Sequence, residues 1–337
     1  MDKTNAIDNH FRRIKQKIAS DDRKTLKKFI LQICFSCLVT FYLITKIDWP
    51  VFIDAFKQIN TVFYLLSTGM VLVSVYINSS KFYWLLKDTV LTLPTSRLMA
   101  INLMARYYSV FLPTSLGHAA VRWYKVTKNK QGKSFFLAST IVERLFFLLI
   151  LVVCGTIPLY LYKPQNLSIV FLRAKLIGPL VATYIILFVL LIYFCVPRIQ
   201  QVCIKAISRI ITIKQGGKID QFLKNFSLKN ISPGKLGLLC LFSILWQFIF
   251  LIRIYLIFKA TGVPLSFPEA VWIGSLVMLL QVLPVSFAGL GIREGAYAYF
   301  LALYGLPPEQ GVINGLLFFS QMLLLAGIGA VLDLIEK

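Results

Sequence analysis

Histidine is nearly missing from this sequence, with His10 and His118 the only two among 337 residues. Little imidazole acid–base chemistry is therefore available, and no Ser-His-Asp set, zinc-protease motif or paired carboxylates for hydrolysis can be assembled. The six cysteines, Cys34, Cys37, Cys154, Cys195, Cys203 and Cys240, fall mostly within or beside apolar stretches, where a thiol behaves as a small hydrophobic group. Cys34-Phe-Ser-Cys37 has a suggestive spacing, but zinc needs two further ligands and neither histidine stands at ligand spacing. No metal and no cofactor are expected. Acidic residues are scarce as well, 14 against 36 lysines and arginines, for a formal charge of +22. Alternating segments of about ten residues, the signature of a membrane barrel, are absent.

What the chain has in abundance is apolar sequence: 58% of its residues are hydrophobic and its mean hydropathy is +0.74. Crossing ~30 Å of hydrocarbon takes about 20 apolar residues, and six runs supply them: 29–46, 61–80, 135–162, 176–196, 236–259 and 311–333. Backbone groups in lipid must be satisfied within the element, so helices are the expected spanning form. The fold class is all-α, a polytopic integral membrane protein. The basic leader 1–28 lacks a small-residue cleavage site, so the first run reads as a retained helix.

Positive charge sets the orientation. Residues 1–28 hold Arg12, Arg13, Lys15, Lys17, Arg23, Lys24, Lys27 and Lys28, and the connector 197–235 holds Arg198, Lys205, Arg209, Lys214, Lys218, Lys224 and Lys229. Both belong in the cytoplasm and read as anchors to anionic lipid headgroups. Nucleic acid is not expected, since no recognition module accompanies the charge. The stretch 98–112 is short for a crossing, and spanning there would put Arg122, Lys125, Lys128, Lys130 and Lys133 on the wrong side. A re-entrant hairpin over 98–127 removes both conflicts.

Its tip, LPTSLGHAAVR (112–122), has a partner in LPVSFAGLGIR (283–293): each has Leu-Pro-x-Ser, then glycine, then arginine ten positions after the leucine. A second hairpin over 268–304 follows. Six spanning helices plus two re-entrant hairpins then form an inverted repeat, with halves 29–162 and 163–337 and both termini cytoplasmic. In transporters such a plan places two helix breaks near the bilayer midplane. Pro113, Gly117, Pro284, Gly289 and Gly291 are the expected hairpin breakers. The alternative is that the repeat arose by chance in a chain rich in leucine, proline and serine.

The candidate binding residues are Arg122, Arg144, Arg293, Glu143, Glu294, Ser115 and Ser286. Charge at bilayer depth should face protein or water. Glu143 and Glu294 can neutralise two arginines of the set that also includes Arg106, leaving positive charge suited to a phosphate. Helix starts after Ser115 and Gly291 can add backbone N–H groups. A purely structural ion-pair network is the competing reading. Adjacent Glu143 and Arg144 point about 100° apart and should not pair. Arg253 and Asp333, near helix ends, are expected to reach the interface.

The segments PTSLGHAAVRWYKV (113–126), IVERLFFLL (141–149) and LPVSFAGLGIREGAYAYFLALYG (283–305) resemble the transmembrane region of lysylphosphatidylglycerol synthases, the flippase-like family, and the hydrophobic layout fits along nearly the whole chain. The family's usual Gly-Gly-Asp-x-x-Arg aligns with Gly117, His118, Ala119 and Arg122, so its aspartate is replaced by alanine. The resemblance implies movement of an anionic phospholipid or lipid-linked molecule between leaflets of a cell inner (plasma) membrane. Larger members carry a soluble aminoacyl-transferase domain after this region, whereas this chain ends at Lys337, so lysyl transfer and enzyme activity are not expected. Two other readings stand beside this one: a non-transporting accessory subunit of an envelope lipid or glycan synthesis enzyme, and a membrane-embedded transferase. A homo-oligomer or an envelope-enzyme partner is compatible with any of them.

Overall fold

A computed structural model describes residues 30–31, 34–111, 117–128, 132–161, 167–195, 233–282, 286 and 289–336. Among these residues every regular element is an α-helix. In chain order they are α1 (Cys34–Lys46), α2 (Trp49–Lys57), α3 (Thr61–Leu86), α4 (Thr95–Phe111), α5 (Gly117–Thr127), α6 (Lys133–Leu161), α7 (Leu167–Cys195), α8 (Pro233–Ala260), α9 (Phe267–Val282), α10 (Ile292–Ala302) and α11 (Pro308–Glu336).

Capping chemistry fixes several boundaries. The Asn60 side chain accepts from the N–H groups of Val62 and Phe63 and starts α3, while Glu269 accepts from both Ser266 N–H and Ser266 Oγ, at 2.7 and 2.6 Å, and starts α9. Such side chains satisfy donors that the first turn leaves free. α8 and α10 end alike: Val263 N–H returns to Phe258 O and Leu306 N–H to Leu301 O, the bond that closes a Schellman motif.

Four described helices are long and apolar enough to cross a bilayer, within Thr61–Leu86, Lys133–Leu161, Gly234–Ala260 and Pro308–Glu336. They coincide with four of the six runs read from the sequence. The first run becomes α1, which turns by 93° into α2; counted as one broken span the pair makes a fifth crossing. The run 176–196 falls in α7 as far as Cys195, and the apolar segment Ala174–Leu190 of that helix is shorter.

The helices pack antiparallel in a consistent pattern. Asn60 N–H donates to Ala260 O at 2.8 Å where α3 begins and α8 ends, and Lys235 Nζ reaches Lys87 O at 2.5 Å where α8 begins and α3 ends. The basic end holding Lys87 and Lys235 also holds the base of the α4–α5 pair, because Arg97 pairs with Glu336 and Lys125 with Asp333 at the end of α11. The opposite end holds the base of the α9–α10 pair, joined by short links to Ala260 and Pro308, with Asp48 N–H donating to Glu309 nearby at 3.1 Å. The two helical hairpins therefore enter the bundle from opposite ends. In the first hairpin α4 packs on α11, and in the second α9 packs on α6.

The two largest of the described apolar clusters follow from this arrangement. One, around Phe82, Leu86, Val126 and Phe136, lies under the first hairpin; the other, around Phe258, Trp272, Tyr297 and Phe300, lies under the second. Lipid tails are as apolar as leucine, so in a membrane the helices associate through close packing and polar contacts rather than hydrophobic expulsion. The helix crossings accordingly carry glycine. A Cβ on Gly311 would overlap the backbone of Ala298 in α10, and one on Gly329 would overlap the Leu103 carbonyl in α4. Gly311→Ala should therefore destabilise the protein by about 1–3 kcal/mol, the usual cost of overpacking, whereas Gly327→Ala, which meets nothing, should not. Heating detergent-solubilised variants and following the surviving monodisperse fraction by size exclusion measures the contrast.

Candidate functional site

Near the C-terminal end of α3 the sequence Asn78-Ser79-Ser80-Lys81 forms a polar run in a largely apolar helix. Lys81 is 3% exposed, and its Nζ donates to Glu143 Oε1 of α6 at 2.6 Å. The other carboxylate oxygen lies 3.6 Å from the Arg122 guanidinium of α5, which stacks on the Phe82 ring 3.9 Å from its centroid. One carboxylate thus ties together α3, α5 and α6. Removing such a carboxylate would leave a buried cation uncompensated, the most destabilising way to break an ion pair.

This triad forms part of the wall of a cavity of about 720 Å³. Arg106 of α4 and Arg144 of α6 also face it. Arg144 does not pair with its neighbour Glu143 but sits over the Phe147 ring at 5.1 Å, as expected from the angle between successive helical residues. Neither Arg106 nor Arg144 has an acidic residue at salt-bridge distance among the described residues, and buried Nε atoms of Arg106 and Arg122 have no hydrogen-bond acceptor. His118 lines the cavity as well, its Nε2 lying 3.3 Å from Asn102 O.

The second hairpin reaches the same space through Gln281, Ser286 and Gly289. Of the residues proposed from sequence, Arg122, Glu143, Arg144, Ser286 and Gly289 meet there. Gly117 is buried at the start of α5. Ser115, Pro113 and Pro284 lie outside the described residues.

Arg293 and Glu294 are placed differently. Glu294 Oε1 accepts from Arg293 at 2.6 and 3.0 Å, and Oε2 accepts from Gly291 N–H at 2.7 Å. Gly291 begins α10 with φ +81°, a left-handed conformation that favours glycine, and a Cβ there would come 2.9 Å from Val39 of α1. Both residues are buried and neither lines the cavity. Arg122 and Arg293 hold matching places in the repeated segment, yet only the first opens onto the cavity.

Two expectations are corrected. Arg253 does not reach the interface: it is buried, roughly 10 Å inside the end of α8 at 1.5 Å per residue, and donates to Gln321 Oε1 at 2.8 Å. Gln321 Nε2 in turn donates to Ser67 at 2.9 Å. Asp333 is also buried, accepting from Lys125 Nζ and from Tyr108 OH, each at 2.6 Å. Lys81 is not among the residues named from sequence, because the apolar run there ends at residue 80. The polar run from Asn78 within an apolar helix was the available signal.

A family model described as Lysylphosphatidylglycerol synthase TM region matches residues 29–329 of this chain. No curated protein and no solved structure matches it.

The triad makes a quantitative expectation. Glu143→Gln should cost about 3–5 kcal/mol by stranding Lys81 beside Arg122, and adding Lys81→Met should return at least half of that. A double-mutant cycle on unfolding in detergent checks it, and simple additivity of the two changes would refute the pairing.

Proposed function

We propose that this chain, which belongs to the lysylphosphatidylglycerol synthase TM-region family, moves an anionic phospholipid or lipid-linked molecule between membrane leaflets. One observation carries the reading: a single cavity is faced by Lys81, Arg106, Arg122 and Arg144 against one carboxylate, Glu143, and is walled by both helical hairpins. Guanidinium groups present planar donor forks that match phosphate oxygens, and a cavity of about 720 Å³ falls within the size range of small-molecule sites.

In this proposal the protein makes six crossings with two re-entrant hairpins, and the end bearing Lys87, Arg97, Lys125, Lys128, Lys133 and Lys235 faces the cytoplasm by the positive-inside rule. Opposite entry of the hairpins, and the packing of each on the other half's last long helix, support an inverted repeat. Broken helices are tolerated at membrane depth where protein or water surrounds them, and a polar cavity between the breaks provides that setting. The headgroup occupies the cavity, the acyl chains stay in lipid, and relative motion of the halves opens the site alternately. The protein acts by binding and movement, with no bond made or broken in the lipid.

Reconstituted protein should accelerate transbilayer passage of a fluorescent anionic phospholipid, read by quenching of the outer-leaflet label. Replacing both Arg122 and Arg144 by glutamine should slow it at least about tenfold, since each charged hydrogen bond lost costs roughly 1.5–3 kcal/mol and 1.4 kcal/mol is a factor of ten. Lys57→Gln, at an exposed surface pair, should leave the rate unchanged. Passage no faster than in protein-free liposomes would overturn the reading.

A further inference from the structure

The charge balance of the cavity says more about its occupant than that it is anionic. Lys81, Arg106, Arg122 and Arg144 face one carboxylate, so counting the lysine and the arginines alone, three positive charges are uncompensated among the described residues. Other described carboxylates are already engaged. Glu294 spends Oε1 on Arg293 and Oε2 on Gly291 N–H; Asp333 is held by Lys125 and Tyr108; Glu336 is held by Arg97 and Lys125; Glu309 and Glu269 accept backbone N–H groups of Asp48 and Ser266. Glu143 is itself divided between Lys81 and Arg122. Arginine stays protonated in proteins, so the cavity cannot shed the excess by releasing protons from its guanidinium groups. Uncompensated charge away from water is costly, and the cost falls when an opposite charge enters.

We infer that the cavity selects a headgroup ending in a phosphate with two or more negative charges, a phosphomonoester or pyrophosphate, over a phosphodiester. This rests on the proposed binding of an anionic lipid and names its class. A phosphodiester carries one negative charge and leaves two cations unanswered. A phosphomonoester carries about −1.5 to −2 at pH 7 and offers three terminal oxygens. The unpartnered Nε donors of Arg106 and Arg122 and the ring-stacked Arg144 come from three different helices, a spread suited to a terminal, multiply charged group rather than to a bridging one.

Binding, measured apart from transport, tests this. The full chain in neutral detergent is titrated at pH 8 with dioctanoyl phosphatidic acid and with dioctanoyl phosphatidylglycerol, which share acyl chains and differ in phosphate charge. Phosphatidic acid should bind at least tenfold more tightly. The doubly substituted Arg106→Gln, Arg144→Gln protein, which strands no carboxylate, should lose most of that preference, and Arg144→Gln alone should lose part of it. Equal affinities in the parent protein would overturn the inference, as would a preference that survives the double substitution, because it would then arise at the basic surface. Inorganic phosphate is the third probe: binding as tight as that of phosphatidic acid would make the ligand a free ion and sink the lipid assignment. Transport of phosphatidylglycerol together with equal binding would leave the proposed function standing and remove only the charge selection; selective binding without transport would do the reverse.

Discussion

A charge removed from water must be answered by another charge or it destabilises the fold, and in this protein Glu143 is where that constraint is met. Its two oxygens hold a lysine from α3 and an arginine from α5 while its own backbone belongs to α6. Three helices that contribute to one cavity are thereby fixed by a single residue. The apolar core beneath, where Phe82 packs on Phe136 at 5.7 Å, supports the same junction from below, and Phe82 also carries the face of Arg122. Packing and electrostatics thus converge on one place, and the cations that Glu143 cannot reach become available to something else.

The remainder of the bundle is arranged to let those helices meet. Helix association in lipid relies on close approach, which small residues permit, and the glycines at Gly311 and Gly329 bring α11 against α10 and α4. On the other side Gly155 of α6 faces Ser275 of α9, where a Cβ would sit 3.1 Å away. The first hairpin is thus held by α11 and the second by α6, and residues beside the second hairpin's bend reach a cavity lined mainly by α4, α5 and α6. Polar ties at the basic end, Lys125 with Asp333 and Arg97 with Glu336, fasten the first hairpin at its base and leave its far end to the cavity.

Much of this was legible in the sequence. Long apolar runs marked the helices because hydrocarbon thickness dictates their length, and two of the expected breakers, Gly117 and Gly291, stand where α5 and α10 begin. Arg122, Glu143 and Arg144, singled out because charge at bilayer depth is costly, stand together at the cavity. What was not legible depended on partners. Lys81 lies just past the apolar run 61–80, and only the carboxylate that α6 supplies marks it out. Arg253 and Asp333 looked like interfacial residues because position along a helix says nothing of what stands across from it; Gln321 and Lys125 decide that. The family match over residues 29–329 agrees with the resemblance carried by the motifs.

The difference between the two repeated segments turns on one neighbour. After Arg122 comes Trp123, and after Arg293 comes Glu294. Glu294 folds back to the start of α10 and takes the guanidinium with it, so the second arginine is neutralised within its own helix, whereas the first must look across to α6. Cation supply along the molecule is consequently unequal: four basic side chains at one cavity, and beyond it Arg253 on a neutral glutamine and Arg293 on its own carboxylate. An anion bound at the cavity would meet weaker attraction further on, and leaving would cost it the pairing it had gained.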